Sequence, residues 1–205
     1  MKRTGIFPKS SSSFKYKDSY NISGEILTEK HHTQYGNCWG LGKDYFNFLK
    51  ERIKKDDKIL DFGCGTLRLG IHLIQFLNSG RYFGIDSDQE SIDICEKYEI
   101  PLNDLNKKNA TFAYNDEFIL PDIKFDVIFA AAVFIHLPKK SFEIFLENLK
   151  FKKGSKLYLT HNISCYKSNK KYFIEKYNLK LINSWKGLRG YFVKKIPNIY
   201  EFIFE

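Results

Sequence analysis

The residues best suited to chemistry are gathered in Asp61-Phe62-Gly63-Cys64-Gly65-Thr66 and in Asp86, which stands 21 positions beyond Gly65. Glycines at the end of an apolar run let a ligand reach backbone N–H groups that a side chain would shield. A carboxylate closing the next apolar run can accept both hydroxyls of a ribose. Charge-assisted bonds of that kind contribute about 1.5 to 3 kcal/mol each, enough to make Asp86 the main anchor of an adenosine-containing ligand.

Spacing separates the ligands that share this frame. A dinucleotide fingerprint would put its third glycine at Arg68, and a phosphate-binding P-loop needs a Gly-Lys-Ser/Thr that is absent here. Asp61 opens the turn instead, and S-adenosylmethionine offers an ammonium group to such a carboxylate and carries no pyrophosphate. Leu60-Asp61-Phe62-Gly63-Cys64-Gly65 resembles the first motif of class I S-adenosylmethionine-dependent methyltransferases. Tyr82-Phe83-Gly84-Ile85-Asp86 resembles their second motif, Asn115-Asp116-Glu117-Phe118 their acidic loop after the third strand, and Phe125 to Leu137 their fourth. The chain departs from the pattern at Leu67, where many members carry a third glycine. The resemblance implies S-adenosylmethionine as cofactor, with Gly63 and Gly65 near its methionine part, Asp86 at the ribose, Asp116 at the adenine amino group and Ala131 beside the sulfonium. Cys64, inside the first motif, is grouped with the cofactor residues as a small residue that packs there, and no nucleophilic role is expected of it. Ser87 adjoins Asp86 and is grouped with the cofactor residues. With Glu90 it also has the spacing of a capping box.

Methyl transfer from a sulfonium is an in-line displacement, so the protein mainly supplies alignment and a dry, charged pocket. A hydroxyl acceptor adds the need for a base. His136, just after the fourth strand, titrates near neutrality and is the candidate catalytic residue, with a helix-entry role beside Leu137-Pro138 as the competing reading. Tyr35 and Trp39 belong, with His31 and His32, to the segment before the first motif. In the enzymes it resembles, that segment folds over the cofactor, so Tyr35 and Trp39 are candidates for the acceptor pocket.

The acceptor expected is a small molecule with a hydroxyl or amine, such as a sugar or another metabolite. No Asn/Asp-Pro-Pro-Tyr follows the fourth strand, where Ala130-Ala131-Ala132-Val133 stands, and no Pro-Cys occupies that place. Base methylation is therefore the weaker reading. An RNA methyltransferase remains the alternative because the chain carries 33 Lys and Arg against 24 Asp and Glu, a formal charge of +9. The loop Lys186 to Lys195, with Arg189, Tyr191 and Phe192, interleaves charge and aromatics as a nucleic-acid contact would. The lysines are nonetheless scattered along the chain, as on a solvated surface. A third reading is a noncatalytic domain that binds S-adenosylmethionine or a partner.

The elements that must position these residues alternate. Strands are expected at Lys58 to Phe62, Arg81 to Asp86, Ala110 to Tyr114, Asp126 to Ala131 and Lys156 to Thr160. Helices are expected at Tyr45 to Ile53, Leu67 to Leu77, from Ser87 to about Tyr98, and from Lys140 to Leu149. A helix near Tyr172 to Tyr177 and strands Leu179 to Trp185 and Tyr200 to Phe204 close the chain as an antiparallel edge pair. The result is an α/β fold: a Rossmann-like, seven-stranded, mostly parallel sheet with helices on both faces and an antiparallel edge strand. Residues 1–23 read as a flexible tail, and 24–205 as one domain whose segment 24–42 is a lid. At 205 residues such a chain buries about 70% of its unfolded surface without staples. Cys38, Cys64, Cys95 and Cys165 form no C-x-x-C pair and have no histidine at zinc spacing, so no metal is expected and the thiols read as reduced. No secretion signal or membrane span is apparent, and the expected setting is cytoplasmic.

Overall fold

Seven apolar runs become β1 (Ile59–Phe62), β2 (Tyr82–Asp86), β3 (Thr111–Tyr114), β4 (Phe125–Ala130), β5 (Phe151–Thr160), β6 (Leu179–Trp185) and β7 (Ile199–Phe204). In the computed structural model they form one sheet in the order β3-β2-β1-β4-β5-β7-β6. The first five strands are parallel, and β7 runs antiparallel to both β5 and β6. The structure describes residues 14–15, 28–29, 38–134, 137–161, 163–190 and 196–205. Phe14–Lys15 and Thr28–Glu29 pair as a separate antiparallel ribbon. Helices are α1 (Cys38–Leu49), α2 (Gly70–Phe76), α3 (Gln89–Ile94), α4 (Lys139–Asn148), α5 (Ser164–Ser168) and α6 (Lys170–Tyr177).

The period-2 alternation of strand side chains builds two cores. Ile59, Tyr82, Val127, Phe129 and Tyr158 face Tyr45, Phe48 and Leu49 of α1, Leu73 and Ile74 of α2, and Ile92 of α3. Leu60, Phe62, Ile128, Leu157 and Leu159 face Phe142 and Phe145 of α4, Tyr166 of α5, and Phe173 and Tyr177 of α6. Strands β1 and β4, buried on both faces, are accordingly almost continuously apolar. Among the described residues no helix is long and apolar enough to cross a membrane.

Several boundaries differ from the sequence expectation, each for a tertiary reason. Helix α1 begins at Cys38 and runs through Gly42, whose Cβ would lie 1.9 Å from the Arg68 carbonyl oxygen; glycine lets the helix seat directly on the turn after β1. That turn extends to Leu69, so α2 starts at Gly70 instead of Leu67. The N-cap of α3 is Asp88, whose carboxylate accepts from the Ser91 hydroxyl at 2.9 Å, and the Ser87–Glu90 capping box does not form. Helix α3 then passes through a π-helical turn, Cys95–Glu99. Strand β5 starts at Phe151, which pairs with Phe125 and stacks on Phe204 at 3.8 Å. The late strands do pair antiparallel, but β7 inserts between β5 and β6, leaving β6 at the edge.

That insertion carries a buried carboxylate with it. Glu201 of β7 is 3% exposed, and accepts from Tyr158 Oη of β5 at 2.7 Å and Asn183 Nδ2 of β6 at 2.7 Å, with Lys156 Nζ at 3.0 Å. Burial alone would raise its pKa, but the bonds from Tyr158, Asn183 and Lys156 outweigh it and hold the group below the ordinary glutamate value. A depressed folded pKa stabilises the fold above the unfolded value and loses that contribution as pH falls through the folded one. Glu201→Gln should therefore cost about 1 to 3 kcal/mol at neutral pH. Thermal melts of the two proteins should converge as pH falls below about 4; a constant gap at all pH values would show that the charge is not what matters.

Candidate functional site

Strands β1, β2 and β4 run parallel and in register, Asp61 opposite Gly84 and Phe129, so their carboxyl ends meet at one edge of the sheet. The sequence-derived residues fall along that edge. Asp61 is the third residue of β1, Gly63, Cys64 and Gly65 follow it, Asp86 ends β2 with exposed Ser87 next to it, Asp116 follows β3, and Ala131 follows β4.

Asp86 holds the edge together. Its Oδ2 accepts the Gly65 N–H at 2.8 Å and its Oδ1 the Asp88 N–H at 2.9 Å, while its own carbonyl accepts the Asn115 N–H at 2.8 Å. The loop after β3 is thereby tied to β2. Within that loop Tyr114 Oη donates to Asp116 Oδ2 at 2.6 Å. Gly63 and Cys64 both donate to the Ile85 carbonyl, at 2.8 and 3.0 Å. Gly63 has φ +80°, and a Cβ there would meet Val133 Cγ2 at 2.4 Å, so the turn after β1 and the loop after β4 touch only because this residue is glycine.

Asp61 is buried, and its Oδ2 accepts from Tyr82 Oη at 2.8 Å. Burial raises its pKa to about 7, against the opposing Tyr82 bond and the nearby Arg68 charge. A buried acid poised near neutrality suits a cationic ligand group, which would restore its charge. Cys64 and Cys95 both direct their thiols at the Gly65 carbonyl, at 3.6 and 3.2 Å. Their mutual contact and burial push the Cys64 thiol well up, so it is a packing group, as its place in the motif led us to expect.

Backbone strain concentrates at the same edge. Apart from Asp and Asn, the described non-glycine residues with left-handed φ are Leu67 (67°), Phe118 (59°), Ala132 (59°) and His161 (74°), following β1, β3, β4 and β5. Such conformations cost about 1 to 3 kcal/mol each and cluster where function demands a particular loop. Leu67 explains the missing third glycine: the chain keeps the left-handed backbone that glycine would favour. It offsets the strain by burying the whole side chain, 0% exposed, a contribution of about 1.5 to 3 kcal/mol.

Other residues of the edge were not found from sequence. Thr160 ends β5 and its Oγ1 accepts the Ala132 N–H at 2.9 Å, while His161 Nδ1 lies 2.6 Å from the same oxygen. Tyr45, on α1, also hydrogen-bonds Thr160. The rule that drew attention to His136, a titratable residue just past a strand's carboxyl end, would have found His161 as well. Tyr82, a phenol in an apolar strand, offered no comparable signal. Tyr35, His31, His32, His136 and residues 191–195 of the basic loop lie outside the described residues, and Trp39 falls within α1.

A parallel sheet whose first strand turns on glycine and is clasped by an acid from the second defines an adenosine-binding α/β domain of Rossmann-like type. Residues 60–151 match the family of methyltransferase domains, and the sheet has the fold of solved S-adenosylmethionine-dependent methyltransferases. The chain is similar to an uncharacterized methyltransferase of Schizosaccharomyces pombe, 26% identical over 49% of this chain and 38% of that one. It is also similar to an uncharacterized protein of Methanocaldococcus jannaschii, 28% identical over 95% of this chain and 50% of that one. The chain thus spans half or less of the length of these curated relatives. Among solved structures, magnesium protoporphyrin IX methyltransferase from Synechocystis PCC 6803 with bound S-adenosylmethionine superposes with a TM-score of 0.62. That pair is 14% identical, over 93% of this chain and 89% of the other.

Two measurements test the geometry. An acid whose folded pKa is raised from 3.8 to about 7 destabilises the fold progressively as pH rises between those values and uniformly above them. Asp61→Asn should remove that decline, seen as a flatter melting temperature between pH 4 and 7. At position 67 the usual order of substitutions should invert. Leu67→Ala retains the strain and loses the packing, about 2 to 5 kcal/mol, whereas Leu67→Gly adopts the left-handed backbone freely and should be the milder change in denaturant unfolding.

Proposed function

We propose that this chain transfers the methyl group of S-adenosylmethionine to a hydroxyl or amine of a small molecule, such as a sugar or another metabolite. The observation that carries the reading is the Asp86 carboxylate at the lip of the glycine turn, bonded to Gly65 N–H and Asp88 N–H yet with lone pairs left for ribose hydroxyls. S-adenosylmethionine supplies a methyl group already activated on a sulfonium, so the residues need only bind, orient and exclude water.

In this assignment Asp61 receives the ammonium group, Gly63 and Gly65 bring backbone to the methionine part, and Cys64 packs beneath the turn. Asp86 and Ser87 take the ribose side, Asp116 the adenine amino group, and Ala131 adjoins the sulfonium. His136 is the acceptor-facing histidine, with Tyr35 and Trp39 lining the acceptor pocket. The small-molecule reading is supported by the absence of a base-clamping motif after β4 and by the magnesium protoporphyrin IX methyltransferase, whose name gives a small-molecule substrate.

Methyl-tritiated S-adenosylmethionine incubated with separated metabolite, RNA and protein fractions of cells decides among the acceptors, and label in the low-mass fraction is the expected result. Label confined to RNA would replace this reading with the nucleic-acid one, and binding with no label anywhere would leave a noncatalytic domain. Calorimetric titration checks the cofactor side: Asp86→Ala should weaken S-adenosylmethionine by about tenfold or more, with circular dichroism unchanged. Equal affinity would sink the role of Asp86.

A further inference from the structure

The carboxyl edge of the sheet is divided by charge. At or just past the ends of β1, β2 and β3 stand Asp61, Asp86, Asp88, Asp116 and Glu117, with Arg68 as the opposing cation. On the other side, the segments 131–138 after β4, 161–168 after β5 and 186–198 between β6 and β7 contain no Asp or Glu, although the chain has 24 of them. Their cations are Lys167, Lys186, Arg189 and, outside the described residues, Lys194 and Lys195. The division falls between β1 and β4, where the strand order reverses.

The fold brings these cations to one place. Thr160 at the end of β5 pairs with Ile199 at the start of β7, and Ile199 pairs with Trp185 at the end of β6, so the three strands reach the edge at one level. The segments after β5 and β6 emerge two strand spacings, about 10 Å, apart. Lys186 follows Trp185 directly. Arg189 follows Leu188, whose carbonyl accepts the Ile196 N–H at 3.0 Å and closes the base of the β6–β7 connection. From the β5 side, Lys167 of α5 places its Nζ 5.5 Å from the ring of Tyr200, the second residue of β7. All three side chains are exposed, and among the described residues none of them pairs with an acid, whereas Lys97, Lys152, Lys156, Lys176 and Lys180 elsewhere do.

Ligands of open α/β sheets bind outside the carboxyl ends of the strands. The cofactor assignment takes the ends of β1 to β3 and puts the sulfonium at Ala131 after β4, which leaves the acceptor the ends of β5 and β6. Resting on the function proposed above, we infer that the acceptor is an anion, a small molecule whose carboxylate or phosphate group is held by Lys167, Lys186 and Arg189 while a separate hydroxyl or amine is methylated. The planar fork of Arg189 matches either oxyanion, and the two lysines add point charges. A surface lined by one sign of charge concentrates ligands of the other. The acidic half of the edge suits the cationic cofactor and the basic half the anionic acceptor, so like-charge repulsion keeps each ligand out of the other's place.

The test needs no known acceptor. Methyl-tritiated S-adenosylmethionine is incubated with the full chain and the low-mass fraction of cells, and the labelled products are passed over an anion exchanger at about pH 8, where carboxylates and phosphates are ionised. Label retained on the exchanger is the expected result, because the anionic group is not the one methylated and survives in the product. Release by alkaline phosphatase identifies a phosphate, and retention through that treatment a carboxylate. The triple variant Lys167→Gln, Lys186→Gln, Arg189→Gln should label about tenfold more slowly at low acceptor concentration, with its calorimetric affinity for S-adenosylmethionine unchanged. Added sodium chloride should slow the parent protein and leave that variant nearly unaffected. Removing three charges elsewhere, by Lys97→Gln, Lys171→Gln and Lys180→Gln, should change neither the rate nor its salt dependence. Label that passes the exchanger unretained, or equal slowing by the two triple variants, would overturn the anionic acceptor while leaving the small-molecule reading intact. Label confined to RNA, or none at all, is the failure of that reading itself, and this inference falls with it.

Discussion

The Asp86 carboxylate closes the turn after β1 onto the end of β2, and the geometry of the whole edge depends on that closure. Two backbone N–H groups, from Gly65 and Asp88, converge on one half-buried acid. Each would otherwise be a donor without a helix or ladder to satisfy it, and a buried N–H without a partner costs about as much as a lost hydrogen bond. The acid therefore does two things at once. It fixes the path of the glycine turn, and it holds a carboxylate at the carboxyl edge of the sheet.

Everything packed around the turn follows from how closely backbones can approach. Helix α1 lies on the Arg68 carbonyl at Gly42, and the β4 loop lies on Gly63 through Val133. These contacts bring Tyr45 to Thr160 and the charge of Arg68 to Asp61 and Tyr45, joining residues from α1, the glycine turn and β5 into one electrostatic neighbourhood. The strained residues Leu67, Phe118, Ala132 and His161 stand in the loops of this edge. The far side of the sheet is stabilised in a different way, by a phenylalanine-rich core, and the late strands are joined by the Glu201 network that clamps β7 between β5 and β6.

Much of the fold was legible because apolar periodicity is a local signal. The five parallel strands, the helices between them and the antiparallel pairing of the last two strands all follow from runs such as Lys58 to Phe62 and Asp126 to Ala131. The candidate residues for the cofactor were legible for the same reason, since Asp61, Gly63, Gly65 and Asp86 mark the ends of those runs, and the structure brings them to one edge of the sheet. Boundaries were read less well where a contact distant in sequence overrode propensity. The helix expected from Tyr45 begins at Cys38, where Gly42 lets it seat directly on the Arg68 carbonyl. Ser87 and Glu90 had the spacing of a cap, but Asp88 took the position once Asp86 had drawn its N–H inward.

By itself the sequence determined the α/β class, the Rossmann-like order of elements and the glycine-and-acid frame for an adenosine cofactor, because each rests on patterns within a few residues or on one βαβ unit. Only the tertiary structure decided the rest. It inserted β7 between β5 and β6, buried Asp61 against Tyr82 and poised it near neutrality, gave Leu67 the backbone of a glycine, and brought Tyr45, Ala132, Thr160 and His161 to one hydroxyl. Burial, strain and hydrogen-bond partnership depend on which surfaces meet, and residues separated by 28 positions, as Ala132 and Thr160 are, carry no local record of that meeting.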